Sequence, residues 1–192
     1  MKEHPIIFSA KMVRAILDGR KTQTRRVWRK SKRHQNHDVY PVWLGGRFEL
    51  ASDGFCIGET VKCPYGVPGD KLWIRETFQM WADVDGKIVP HYKADYTELP
   101  FKMSWRPSIH MPRWASRITL EVVSVRVERV QNISEQDAMA EGVTPKSYVA
   151  NHLEHIMYRS TFHLLWDSIN AKRGFPWSSN PWVWAVEFRQ VK

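Results

Sequence analysis

Cysteine is nearly missing from this sequence. Cys56 and Cys63 are the only two in 192 residues, too few for a disulfide framework in a chain of this length. Long apolar runs are missing too: nothing approaches the roughly eighteen apolar residues of a membrane span, and the N-terminal run "PIIF" is too short for a signal peptide. A cytoplasmic protein is the expectation, with no membrane partner. No internal repeat or low-complexity block interrupts the sequence, and its length suits one domain over residues 1–192. A standard metal-ligand pattern is also wanting. His34 and His37 form H-x-x-H, and the cysteines are spaced C-x6-C, which together match no usual zinc arrangement. Neither metal nor other cofactor is expected.

Acidic residues are in deficit. Asp plus Glu number 20 against 29 Lys plus Arg, giving a formal charge of +9. An excess of this sign points to a polyanionic partner, with nucleic acid or a nucleotide foremost. The deficit is most local in "DGRKTQTRRVWRKSKRH", where no acidic residue stands between Arg20 and Arg33.

Several elements can be read from pattern. Ser9 is placed to cap a helix carrying Met12, Val13, Ile16 and Leu17 on one stripe, with Gly19 as its left-handed exit. Ser31–Gly46 is polar and aperiodic and reads as a surface loop. In "VPGDKLWIRETF" a Pro-Gly-Asp turn precedes a strand with Leu72, Ile74 and Glu76 on one face and Trp73, Arg75 and Thr77 on the other. "RITLEVVSVRVERV" alternates through Ile118, Leu120 and Val122, then shifts phase to Val123, Val125 and Val127, as a strand does at a bulge. "NISEQDAMAEGV" carries a capping-box pattern at Ser134 and Asp137, a staple between Ile133 and Ala138, and Gly142 as terminator of a helix over 135–141. Phe162, Leu165, Trp166 and Ile169 sit at helical spacing before Gly174 and Pro176. The closing "WVWAVEF" alternates Trp182, Trp184, Val186 and Phe188 as a strand. Together these predict an α+β domain built around a small β-barrel.

Lys21 and Thr24 stand three apart, so a lysine amine is within chain reach of a threonine hydroxyl that it could activate as a nucleophile. In a regular strand the two face opposite sides, and they converge only if the segment after Gly19 is turn-like or the lysine stem folds across. Arg20, Arg25 and Arg26 crowd positive charge near Lys21 and disfavour its ammonium form. The alternative is a solvated basic arm that grips phosphate without specificity.

"GRKTQTRR" resembles the G-x-K-T-x-T-x-R signature of the ASCH domain, a PUA-like β-barrel with flanking helices, in the branch containing bacterial acetylcytidine amidohydrolases. Gly19, Lys21, Thr22, Thr24 and Arg26 fit that signature, and the likeness extends through "GDKLW", "ISEQDAMAEG" and "WVWAVEF". Overall the sequence looks most like phage-associated ASCH proteins. It departs from the compact amidohydrolases by long inserted loops near 27–68, 79–117 and 144–158. The resemblance implies Lys21, Thr24 and Glu141 as catalytic residues. A carboxylate in the last helical turn also meets the negative end of the helix dipole, although a plain exposed glutamate is an equally good reading of Glu141 from the residues alone.

Around that set, Arg26 or backbone N–H groups after Gly19 are candidates for an oxyanion, and Glu76 for a base edge or ribose hydroxyl. Arg25 and Trp73 join them as candidate substrate-binding residues. The insertion "SWRPSIHMPRWASR" mixes Trp105, Arg106, His110, Arg113, Trp114 and Arg117, a combination suited to stacking a base and holding phosphate. Its alternative is a rigid loop whose tryptophans plug the fold. Three functions are carried forward from the sequence. The leading one is an amidohydrolase that removes an acyl group from the exocyclic amine of a cytidine-type nucleoside or nucleotide. The others are a non-catalytic PUA-like RNA-binding module and a metal-independent ribonuclease.

Overall fold

The computed structural model describes residues 1–29, 39–45, 47–52, 54–98, 104–150 and 153–191. At its centre lies a five-stranded sheet of order β1-β6-β9-β12-β2, formed by β1 (Glu3–Ile7), β6 (Lys71–Arg75), β9 (Thr119–Arg129), β12 (Trp182–Gln190) and β2 (Gln23–Val27). Only the β1–β6 pair is parallel. The order leaves β1 and β2 at the two edges. Among the described residues these edges share no ladder, so no closed, hydrogen-bonded barrel is found. Arg26 in β2 reaches towards the other edge, donating from Nη2 to the Ile7 carbonyl at 2.7 Å.

From Trp182 to Val186 β12 is apolar in both phases because both its faces are covered there. Trp184, Val186 and Phe188 join the larger core with Ile6, Phe8, Leu72, Ile74, Leu120 and Val122. Val183 instead packs with Val130, Ile133, Ala138, Phe162 and Trp166. That second core lies under α2 (Glu135–Ala140) and α3 (Tyr158–Asn170). The phase shift in β9 is a bulge. Glu187 pairs with Ser124 and Phe188 with Val122, which leaves Val123 as the extra residue.

α1 (Ala10–Leu17) buries Val13, Ala15 and Ile16 and ends at Gly19, whose φ of +72° is the left-handed exit its sequence suggested. The inserted stretches are more ordered than loops. β3 (Val39–Trp43), β4 (Phe48–Ser52) and β5 (Phe55–Val61) form a three-stranded sheet. The loop expected over Ser31–Gly46 therefore gives way to strand from Val39, while residues 31–38 and Gly46 lie outside the described residues. β3 accommodates Pro41 because, among the described residues, it pairs only with β4, and an edge tolerates a missing N–H. β7 (Phe78–Ala82) with β8 (Ile88–Tyr92), and β10 (Lys146–Ala150) with β11 (Leu153–Met157), make hairpins in the other two insertions. Among the described residues no helix is long and apolar enough to cross a membrane.

Candidate active site

Gly19 turns the chain out of α1, and Lys21 then runs beside the end of α2. Its N–H donates to the Ala15 carbonyl and that of Thr22 to the Ala140 carbonyl, both at 2.9 Å. α2 is fixed at its start by Ser134, whose hydroxyl accepts from the Asp137 N–H at 3.0 Å. Glu141 closes the helix as its C-terminal cap. The two segments meet as an isolated antiparallel bridge between Lys21 and Glu141. Residues separated by 120 positions are thereby brought into side-chain contact: the Lys21 amine lies 2.8 Å from Glu141 Oε2.

Both groups are buried, Lys21 at 3% exposure and Glu141 at 4%. Burial pushes the Lys21 pKa below its ordinary value; Glu141 opposes that fall, and the nearby Arg26 and Arg25 charges add to it. The ammonium also donates to the Gln23 carbonyl at 2.7 Å and to the Glu141 carbonyl at 2.8 Å. With the carboxylate, these oxygens take the three protons an ammonium carries, and Thr24 receives none of them.

Thr24 is nevertheless buried alongside. It pairs with Val186 and Arg26 with Trp184, which puts Thr24 and Arg26 on the face of the larger core. The Lys21 amine and the Arg26 guanidinium lie over the same Phe8 ring, 5.5 and 5.0 Å from its centroid. Burial lowers the Arg26 pKa, with the charge of Arg173 acting the same way, and its Nε is buried without an acceptor.

Arg25 faces the opposite side of β2 with Gln23. Its side chain is 0% exposed and bonds Glu128 at 2.6 Å, Asp137 at 3.0 Å and Glu141 at 3.3 Å. Its Nη1 also donates to Gln23 Oε1 at 2.6 Å. The structure therefore uses Arg25, expected to bind substrate, as an internal cross-link that orients Glu141 from behind. Arg126 extends the network to Glu128, Asp137 and Glu187. Sequence reasoning missed Gln23, Arg126, Glu128, Asp137 and Glu187. The available signal was the spacing of Gln23 with Arg25 in β2 and of Arg126 with Glu128 in β9 at every second residue; Asp137 lies in α2.

The remaining candidates lie apart. Glu76 is 2% exposed and held by Arg117 at 3.0 and 3.2 Å, while Arg117 also grips Asp95 at 2.7 Å. Burial pushes the Glu76 carboxyl upward against the pull of Arg117. Trp73 carries the guanidinium groups of Arg75 and Arg113 over its ring at 5.5 and 5.8 Å. Arg113 pairs with Glu3 at 2.9 Å. Arg106 and His110 are exposed, and the Arg106 backbone bridges Phe78. Among the described residues no hydrogen bond or ion pair joins Trp73, Arg106, His110 or Arg113 to Lys21, Thr24 or Glu141. Trp114 is exposed, not a plug. Cys63 is buried, which pushes its thiol up to about 12, and Cys56 is exposed. Among the described residues no cluster of three potential metal ligands occurs; His34 and His37 lie outside them.

No family model and no curated protein matches the sequence. Among solved structures the chain is similar to protein EF3133 from Enterococcus faecalis V583, at 11% identity and a TM-score of 0.39 over 93% of this chain. It spans 65% of the length of that protein. It is also similar to an ASCH domain from Lactobacillus crispatus JV V101, at 12% identity and a TM-score of 0.42 over 98% of this chain and 79% of that one.

Proposed function

We propose that the protein is an amidohydrolase that removes an acyl group from the exocyclic amine of a cytidine-type nucleoside or nucleotide. The observation that carries this reading is the buried Lys21 amine, held 2.8 Å from Glu141 while burial disfavours its charge, at the head of the strand that bears Thr24. A lysine serves as a base only when neutral, and this environment moves it in that direction. Neutral Lys21 takes the Thr24 hydroxyl proton as the oxygen attacks the amide carbonyl carbon. The C–N bond then breaks, the proton passes to the departing amine, and Glu141 keeps Lys21 oriented throughout. Water attacks the threonyl ester and releases the carboxylic acid. Since Lys21 donates to three oxygens in the resting arrangement, the active form carries one proton fewer on the Lys21–Glu141 pair.

That same saturation of Lys21 favours a second reading, in which the pair only holds α2 to the sheet and the basic surface binds RNA without breaking a bond. Absorbance on a panel of N4-acylcytidines separates the two. Hydrolysis should be lost in Thr24→Val, which keeps the buried shape, and retained in part by Thr24→Ser. Because Lys21 and Thr24 act as one unit, Lys21→Met should lose as much as Thr24→Val, and the double variant little more. No turnover by the parent on any acylcytidine, or parental rates in a folded Thr24→Val protein, would sink the hydrolase.

A further inference from the structure

A cavity of about 420 Å³ opens where β2 leaves the sheet and β12 enters it, between Trp28, Phe175 and Trp182, with the guanidinium groups of Arg29, Arg129 and Arg173 on its lining. The two indoles come from hydrogen-bonded segments, for the Trp28 N–H donates to the Trp182 carbonyl at 2.9 Å. Tyr40 stacks on Trp182 at 4.3 Å with the ring planes 19° apart. Arg129 faces Trp182 across the β9–β12 ladder, its guanidinium 4.3 Å from the ring centroid. Trp182 is thus a fixed wall, and its indole N–H is buried without an acceptor.

Charge is distributed unevenly. Arg25, Arg117 and Arg126 each hold two or more carboxylates. Arg29 and Arg173 are exposed, and among the described residues neither pairs with a carboxylate. Arg29 instead lies 5.9 Å over the Phe175 ring. Arg173 adds positive charge near Arg26, a smaller effect there than burial.

Unpaired guanidinium groups select an anion, and their planar forks suit phosphate. Flat apolar walls select a planar group. The volume falls within the range of about 300–1,000 Å³ that holds small ligands. Inorganic phosphate would leave the aromatic walls unused, and a neutral nucleoside would leave the arginines unused.

We propose that this cavity binds one nucleotide unit, its phosphate between Arg29 and Arg173 and its base against Phe175 and Trp28. The unit is either a free nucleoside monophosphate or one residue of a single-stranded RNA. The proposal goes beyond the hydrolase reading, since it needs neither Lys21 nor Thr24.

Calorimetric titration with cytidine 5′-monophosphate, cytidine and a single-stranded octaribonucleotide tests it. If the unit is a free nucleotide, the monophosphate should bind at least about tenfold more tightly than cytidine, and Arg29→Ala or Arg173→Ala should each remove about that factor. If the unit belongs to a strand, the octamer should bind while the monophosphate does not, and each substitution should lower the salt dependence by about one ion. In either case Arg173→Lys should restore part of the loss, which a merely unfolded variant would not permit. Affinities for the monophosphate and the octamer that are unchanged in the Arg29→Ala/Arg173→Ala double variant would overturn the proposal. So would a parent protein that binds neither. Acylcytidine turnover is a separate readout, so the two readings can fail independently.

Discussion

Gly142 follows Glu141 at a φ of +74°, and a Cβ built on it would stand 2.6 Å from the Lys21 Cβ and 2.9 Å from the Ala15 Cβ. Gly19 has nearly the same φ, +72°, but open space around it. Gly142→Ala therefore meets both backbone strain and a clash, Gly19→Ala the strain alone. Urea unfolding should show a loss of about 1 kcal/mol for Gly19→Ala and at least about twice that for Gly142→Ala. Equal losses would mean that the close approach of Lys21 to α2 is not a real constraint. The ion pair beside it makes a second test. Lys21→Met or Glu141→Leu alone leaves a buried charge without its partner and should cost about 3–5 kcal/mol. The double variant replaces both by apolar groups and should recover much of that loss, a coupling that an additive pair would refute.

α2 presents Glu141 only because its start is pinned, so Ser134→Ala should cost about 1 kcal/mol in helix stability and lower any turnover through Glu141 without touching substrate. Parental stability in that variant would count against the cap. At this scale much of the fold was legible: α1, β6, the bulge in β9, α2, α3 and β12 each carry a local period and a local stop. β3 to β5 were not, because the stretch over 31–46 is polar and aperiodic and reads as a loop. Whether the two outer strands close into a cylinder was not legible, because that depends on curvature rather than on any residue pattern. Of the candidate site, Lys21 and Thr24 stood out by spacing, and Glu141 by resemblance and by its place at the negative end of the helix dipole. The inward commitment of Arg25 was hidden because Glu128, Asp137 and Glu141 lie more than 100 residues away in the chain, Glu128 meeting it across β12 and Asp137 and Glu141 from α2 and its cap.

For the whole molecule the internal charge network sets the response to acid. Burial alone would raise the Asp137 pKa, but the Arg25 and Arg126 charges outweigh it and hold the group below its ordinary 3.8. Asp70 is lowered likewise, burial being outweighed by hydrogen bonds from the Lys2 and Val67 N–H groups. Groups whose folded pKa is depressed contribute stability that is complete above the unfolded value and lost as the pH falls through the folded one. The melting temperature should thus be insensitive to these groups near neutrality and fall below about pH 4. Asp137→Asn should melt lower at neutral pH and show a shallower acid decline; an unchanged decline would remove Asp137 from the account. The position of β12 has a consequence in time as well as in space. It bonds β9 on one side and β2 on the other, yet it is the last of the described strands to be synthesised. A chain leaving the ribosome exposes β2 and β9 with no strand between them until Trp182–Gln190 has emerged. Nascent chains stalled before Trp182 should remain protease-sensitive throughout the sheet, and protection should arrive abruptly once Gln190 is free. Such late completion leaves unpaired strand edges exposed throughout most of synthesis, the condition under which nascent sheets aggregate.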